Sequence, residues 1–255
     1  MQPYTKRLGC LPHNAAVAAA LPQIRIGAAP LLPRVVPPLD WTPTPGDNET
    51  EPTCVPTAYI NATRASMRYL GGGDIQVSDA EVLAQYARAI GRPGATPAEL
   101  AATDGCDPLA FMAMIQTDGW WTVGLQAPLV PTYGAITSLF TASMARVIGE
   151  VGAVMLAVTL YEADMEAQAL GAPWTGLPTG GPVGGHMIAA CSYSGLQDED
   201  ILKIATWGTW MPASWQWISS RIQLAVPVIT RDLLPPSASD RYAALAAEMT
   251  ESSRA

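Results

Sequence analysis

Two residues of this 255-residue chain stand in settings where nucleophilic chemistry is possible, Cys54 and His186. Cys54 ends a polar, proline-bearing loop, Asp47-Asn48-Glu49-Thr50-Glu51-Pro52-Thr53, and opens a helical pattern. Thr53 suits the N-cap, which puts Cys54 at the first helical position and Pro56 in the first turn, where a missing N–H costs nothing. A thiol there feels the positive end of the helix dipole, which favours thiolate. His186 follows Gly184-Gly185 at the start of an apolar, strand-like run. A thiol with an imidazole as its base is the minimal apparatus for acyl transfer. Against this stand two plainer readings: a small buried cysteine that happens to start a helix, and a hydrogen-bonded histidine at a strand end.

Apolar or small residues recur at Val55, Ala58, Tyr59, Ala62, Ala65 and Tyr69, and Gly71-Gly72-Gly73 closes that helix. Ser78-Asp79-Ala80-Glu81 is a capping box opening a helix to about Ile90, and Thr96-Pro97-Ala98-Glu99 is a second box opening a short one. Asp107-Pro108 opens another, with Leu109, Met112 and Ile115 on one face, ending near Gly119. A helical stretch from Ile136 to Gly149 precedes the β-branched run from Val151 to Leu160, which reads as a buried strand. After a Gly- and Pro-rich loop, Gly171 to Gly185, strands are expected from His186 to Cys191, from Ile201 to Trp207, and once or twice between Ser214 and Val228. Helices first and antiparallel strands second predict an α+β fold.

The arm over residues 1–46 carries proline at a density that forbids long helices and central strands. It reads as a belt packed on the domain, with Gln23-Ile24-Arg25-Ile26 as a possible edge strand. Residues 47–228 form the domain proper, a helical lobe over 47–135 and a β lobe over 136–228. A tail over 229–255 carries a surface helix from Asp240 to Glu248.

A net charge of −8 and the absence of any basic run argue against a nucleic-acid partner. No apolar run reaches about 18 residues, so no membrane span is expected. The N-terminal Ala-rich run is interrupted by Pro12-His13-Asn14 and is too weak for a secretory signal. The four cysteines at 10, 54, 106 and 191 form no close pair, and with only two histidines neither a metal site nor a cofactor is expected. No Gly-x-Ser-x-Gly elbow occurs, which disfavours a serine hydrolase.

Taken in order, six stretches resemble the papain-like cysteine peptidases, especially bacterial and viral members without a long propeptide. Arg7-Leu8-Gly9-Cys10-Leu11-Pro12 is similar to a short Gly-Trp-Leu-Pro opening, and Leu32-Pro33 through Leu39-Asp40-Trp41 to the Leu-Pro…Val-Asp-Leu stretch. Asp47 to Tyr59 resembles the Asp-Gln-Gly…Ser-Cys-x-Ala block, and Val77 to Leu83 resembles Leu-Ser-Glu-Gln-Glu-Leu. Gly184-Gly185-His186-Met187-Ile188-Ala189 resembles the histidine block, and Lys203 to Trp210 resembles Lys-Asn-Ser-Trp-Gly-x-x-Trp-Gly.

The resemblance implies a two-lobe fold and a peptide or protein substrate. It makes Cys54 the nucleophile, His186 its base, Asn48 the oxyanion donor in place of the family's glutamine, and Trp207 the shield of the imidazole. It also exposes departures. Ala205 stands where the family has the asparagine that orients its histidine, and strand alternation is expected to turn Thr206 to the other face. Glu51 removes the partner of the usual nearby disulfide, and Glu49 and Glu51 are expected to oppose the thiolate. A peptidase of reduced or specialised activity follows. The alternatives are a papain-fold structural or binding component of a larger assembly, such as a virus or phage particle, and an acyltransferase on the same dyad. A cytoplasmic or virion-associated setting, with protein partners holding the arm and tail, fits that composition better than secretion.

Overall fold

A computed structural model describes residues 6–21, 31–35, 40–120, 129, 131–136, 139 and 141–230. The edge strand at residues 23–26 and the tail helix at residues 240–248 lie outside the described residues.

A short helix α1 (Ala15–Ala20) in the arm is capped by the Asn14 side chain, which accepts from the Ala16 and Val17 amides. The long helix α2 (Cys54–Tyr69) ends before the glycine run, as its pattern predicts, and is buried from Cys54 to Met67. Burial on all sides requires its polar residues to be paired. Asn61 exchanges two hydrogen bonds with the Thr44 backbone, and Arg64 binds Asp74 at 2.9 Å and stacks 4.4 Å from the Trp41 ring centre. The segment over 41–46 is thereby strapped to α2.

Three further helices begin where local signals place them. Both hydrogen bonds of each capping box are present at α3 (Asp79–Ala89) and α4 (Pro97–Ala101), and Asp107 caps α5 (Pro108–Asp118). A small strand β1 (Pro131–Tyr133) is followed by α6 (Thr141–Val151). Because α6 runs on to Val151, the strand β2 (Val154–Tyr161) begins three residues later than expected.

Next come α7 (Glu162–Ala169), β3 (Pro182–Tyr193), β4 (Ile201–Thr206) and β5 (Thr209–Ser214). β3 starts four residues before His186, inside the expected loop, because Gly184 and Gly185 pair with Leu160 and Thr159 of β2. The segment after Ser214 is not all strand. Trp215–Arg221 forms the helix α8, and only then follow β6 (Ile222–Val226) and β7 (Val228–Thr230).

Five strands make one antiparallel sheet in the order β5-β4-β3-β2-β6, and β1 pairs with β7. Alternation divides the sheet's residues between two cores. Met187, Ala189, Cys191 and Ala205 face α2, α3 and α5, whereas Ile188, Ala190, Leu202 and Ile204 face α6 and α8. With both faces covered, the central strands are apolar throughout rather than alternating. The architecture is α+β, helices first and antiparallel sheet second.

Candidate active site

Cys54 sits at the first position of α2 and is fully buried. Thr53 occupies the N-cap position, but its hydroxyl makes no capping bond and donates instead to the Gly46 carbonyl at 2.6 Å. The hydroxyl thus folds the loop over 46–53 back on itself. The N–H groups of the first turn stay uncapped, and those of Cys54 and Val55 face the Cys54 sulfur, as do those of Met187 and Gly9. Burial nevertheless dominates and pushes the thiol up to about 12.

Met187, whose N–H faces the Cys54 sulfur, is the residue after His186, so the backbone of β3 beside His186 passes the start of α2. His186 is fully buried, and burial lowers its imidazole to about 3. Its Nε2 lies 2.7 Å from Thr206 Oγ1, and its Nδ1 is buried without a hydrogen-bond partner. The Trp207 ring is stacked on the imidazole, centroids 4.4 Å apart and planes 19° apart.

The expectation that Thr206 points away from His186 is corrected. Ala205 pairs with Ala189 and shares the α2 face with Met187. Ile188 and Ala190, two and four residues beyond His186, lie on the opposite face with Ile204. Thr206, two residues after Ile204, therefore shares the face of His186. Alternation holds, but it assigns the faces the other way round. A hydroxyl from the neighbouring position does what the alanine cannot.

Asn48 is buried at 1% exposure, and neither its amide nitrogen nor its amide oxygen has a hydrogen-bond partner. The acidic neighbours behave differently from the expectation. Glu49 is ion-paired with Lys6, and the Glu51 carboxyl is raised by burial first and the Asp47 charge second, against the pull of Arg7. Burial, not these carboxylates, is what raises the thiol. His13 is half-buried in the arm.

Residues 7–11 lie against the Cys54 loop and the start of β3. The Arg7 amide donates to the Glu49 carbonyl at 3.1 Å, and the Arg7 carbonyl accepts from the Trp207 indole at 3.4 Å. The Cys10 amide donates to the Gly185 carbonyl at 3.2 Å. On the other side, the Cys106 amide donates to the Gly9 carbonyl at 3.0 Å, and the Leu11 amide to the Cys106 carbonyl at 3.1 Å. Residues 7–11 thus run as an added strand between the Cys54 loop, the Cys106 loop and the start of β3. The approach is close enough to require glycine. A Cβ on Gly9 would overlap the Pro52 carbonyl, one on Gly105 the Gly9 carbonyl, and one on Gly185 the Cys10 carbonyl. Gly105 also has a φ of 108°, which side chains rarely adopt.

Sequence reasoning missed Thr206 and this insertion. The available signal for the insertion was the recurrence of a Gly-Cys pair at 9–10 and at 105–106.

Among the described residues no group of three or more His, Cys, Asp or Glu side chains gathers to hold a metal ion, and no helix is long and apolar enough to cross a membrane.

No family model and no curated protein matches the chain. Solved structures do. Xylellain, a cysteine protease from Xylella fastidiosa, superposes with a TM-score of 0.66 at 12% identity over 90% of this chain and 98% of that one. Digestive procathepsin L 3 from the larval midgut of Tenebrio molitor gives 0.59 at 12% identity over 88% and 76%. ProCathepsin B S9 from Trypanosoma congolense gives 0.56 at 12% identity over 86% and 85%. The chain has the fold of the papain-like cysteine proteases.

Proposed function

We propose that this protein is a cysteine peptidase that hydrolyses peptide bonds through Cys54 and His186, and that it is latent while residues 7–11 fill the cleft. One observation carries the reading: the His186 imidazole is hydrogen-bonded at Nε2 to Thr206 yet keeps a buried, unpartnered Nδ1, and the N–H of the next residue, Met187, faces the Cys54 sulfur at a helix N-terminus. A buried polar atom without a partner costs about 1–3 kcal/mol. Such an atom is tolerated where another state of the protein uses it.

With Nε2–H donating to Thr206 Oγ1, Nδ1 holds the lone pair. It takes the proton of the Cys54 thiol as the sulfur attacks the carbonyl carbon of a peptide. The negative oxygen that forms accepts hydrogen bonds from the Cys54 N–H and from the Asn48 amide, which has no other use in the closed state. His186 then gives the proton to the leaving amine. Water, deprotonated by the same imidazole, releases the second product from the thioester. Trp207 keeps bulk water off the His186–Thr206 bond.

Departure of residues 7–11 admits solvent, and the pKa values of thiol and imidazole move toward each other as the burial cost falls. The closed state has a different consequence. A thiol near 12 and an imidazole near 3 are both neutral at pH 7. That observation favours a second reading, in which the fold is kept for binding or assembly and the dyad no longer turns over.

Gly9→Ala separates the two, because it leaves no room for the arm while both dyad side chains are kept. In the peptidase reading, this variant cleaves an unstructured peptide library faster than wild type, its Cys54 reacts with iodoacetamide ahead of Cys10, Cys106 and Cys191, and adding Cys54→Ala abolishes cleavage. If Gly9→Ala and Gly9→Ala/Cys54→Ala are equally inactive, the assembly reading replaces it.

A further inference from the structure

Cys10, in the inserted segment, is paired directly with Cys106 of the neighbouring loop. They are the two members of a parallel bridge, with the Cys106 N–H bound to the residue before Cys10 and the Cys106 carbonyl bound to the residue after it. Directly paired residues of neighbouring strands lie about 4.7–4.9 Å apart, inside the 4.4–6.8 Å over which two Cα atoms can carry a disulfide. Both side chains belong to the same buried core as Cys54, and both thiols are free. Cys106 is among the groups that push the Cys10 thiol up, after burial and Cys54. Cys191 stands apart on the sheet, its thiol against the Ala189 carbonyl at 3.4 Å. The catalytic reading uses neither Cys10 nor Cys106.

We propose that Cys10 and Cys106 are a modification site, forming a reversible disulfide that pins residues 7–11 across the cleft, with a low-molecular-weight disulfide as oxidant. The oxidant meets Cys10 when the arm is out of the cleft. The Cys10 sulfur forms a bond to one sulfur of the reagent, the reagent's S–S bond breaks, and one small thiol leaves with the proton. When the arm seats again, Cys106 attacks the Cys10 sulfur of the mixed disulfide, and the second small thiol leaves. Two protein thiols are oxidised by two electrons and one small disulfide is reduced to two thiols. The closed cleft, with its thiols raised by burial, is unreactive by itself, so exchange proceeds through the open arm. The functional part of this inference, control of cleavage, rests on the peptidase reading; the crosslink does not.

The test uses the full chain, incubated with oxidised glutathione, quenched with acid and digested without reductant. Mass spectrometry is expected to find a Cys10–Cys106 crosslinked peptide. Iodoacetamide labelling of Cys54 should slow roughly tenfold or more in the crosslinked chain, and dithiothreitol should restore it. Cys10→Ser and Cys106→Ser should each keep Cys54 labelling independent of the oxidant, and Gly9→Ala should lose the crosslink with both thiols still present. A disulfide that includes Cys54 as the main product, no crosslink, or a crosslink that leaves Cys54 labelling unchanged would each overturn the proposal. Crosslink mapping needs no turnover. A chain that forms the latch but cleaves nothing, even as reduced Gly9→Ala, loses the peptidase reading alone; an active peptidase that never forms it loses the latch alone.

Discussion

The buried polar groups around Asp164 and those around Cys54 are built on opposite terms. Around Asp164 every group is used. Oδ1 accepts from the Trp217 indole at 2.8 Å and from Arg221 Nη2 at 2.9 Å, while Oδ2 accepts from the Tyr161 amide at 2.8 Å and Arg221 Nε at 2.9 Å. The Asp164 carbonyl holds the Trp174 indole, and the Arg221 guanidinium lies 4.9 Å over Trp217. Around Cys54, by contrast, the Asn48 amide and His186 Nδ1 are buried and unused. The saturated site has nothing left to offer a ligand; the unsaturated one has donors and a base to spare. A column of rings joins them: Trp217 stacks on Trp174 at 4.6 Å, Trp174 meets Trp207 edge-on at 5.8 Å, and Trp207 covers His186. The satisfied knot is the anchor on which the unsatisfied site's imidazole is oriented.

The contrast can be broken most forcefully at Arg221. Arg221→Met strands a buried carboxylate and should cost about 3–5 kcal/mol of stability, read from the denaturant midpoint. Asn48→Ala should do the reverse, leaving the midpoint unchanged or higher and lowering kcat by about 10²–10³ in the Gly9→Ala background, the loss expected for one oxyanion donor. If Asn48→Ala unfolds the chain instead, the amide is structural and the contrast fails.

The two faces of β4 give a sharper pair. Ala205→Asn should destabilise by about 1–3 kcal/mol without raising kcat, since it buries an amide against α2. Thr206→Val should lower kcat by about tenfold and shift the pH profile of kcat/KM, with a change in stability of about 1 kcal/mol. An Ala205→Asn variant with higher kcat would show that the faces have been assigned wrongly.

The smallest effect is one of pH. The ordinary imidazole value is 6.5, and in the fold His186 is lowered to about 3 by burial. Between these values the unfolded chain binds the extra proton, so stability rises with pH across that window. The full contribution is present above 6.5 and is lost as pH falls toward 3. From pH 7 to pH 6 the loss should be under about 1 kcal/mol, and it should be absent in His186→Gln.

The parts of this molecule that were legible in the sequence are those decided within a few residues. Ser78 with Glu81, Thr96 with Glu99, and Asp107 with Pro108 each close their own helix start, so α3, α4 and α5 begin where the residues say. That Cys54 opens a helix and that His186 lies in a strand were likewise readable from their local settings. The helix α8 was not. Trp215-Gln216-Trp217-Ile218 has the look of a strand, and what fixes it as helix is the Ser214 cap together with the pairing of Arg221 to Asp164, which lies 57 residues away in sequence. The role of Thr206 depended on which face of β4 meets α2, a fact of register rather than of composition. The inserted strand depended on three glycines that meet only in space, Gly9, Gly105 and Gly185.

That inserted strand belongs to the same molecule as the cleft it fills, and this changes how the site meets competitors. A tethered segment presents itself at an effective concentration on the order of millimolar, whatever the amount of protein in solution. Under the peptidase proposal, dilution would not release the dyad, and a free peptide would contend with a rival that never diffuses away. The fraction of molecules open at any moment is an internal constant of the chain, set by the contacts of residues 7–11. In the proposed peptidase, whatever shifts that constant would set the output of the site more directly than substrate supply.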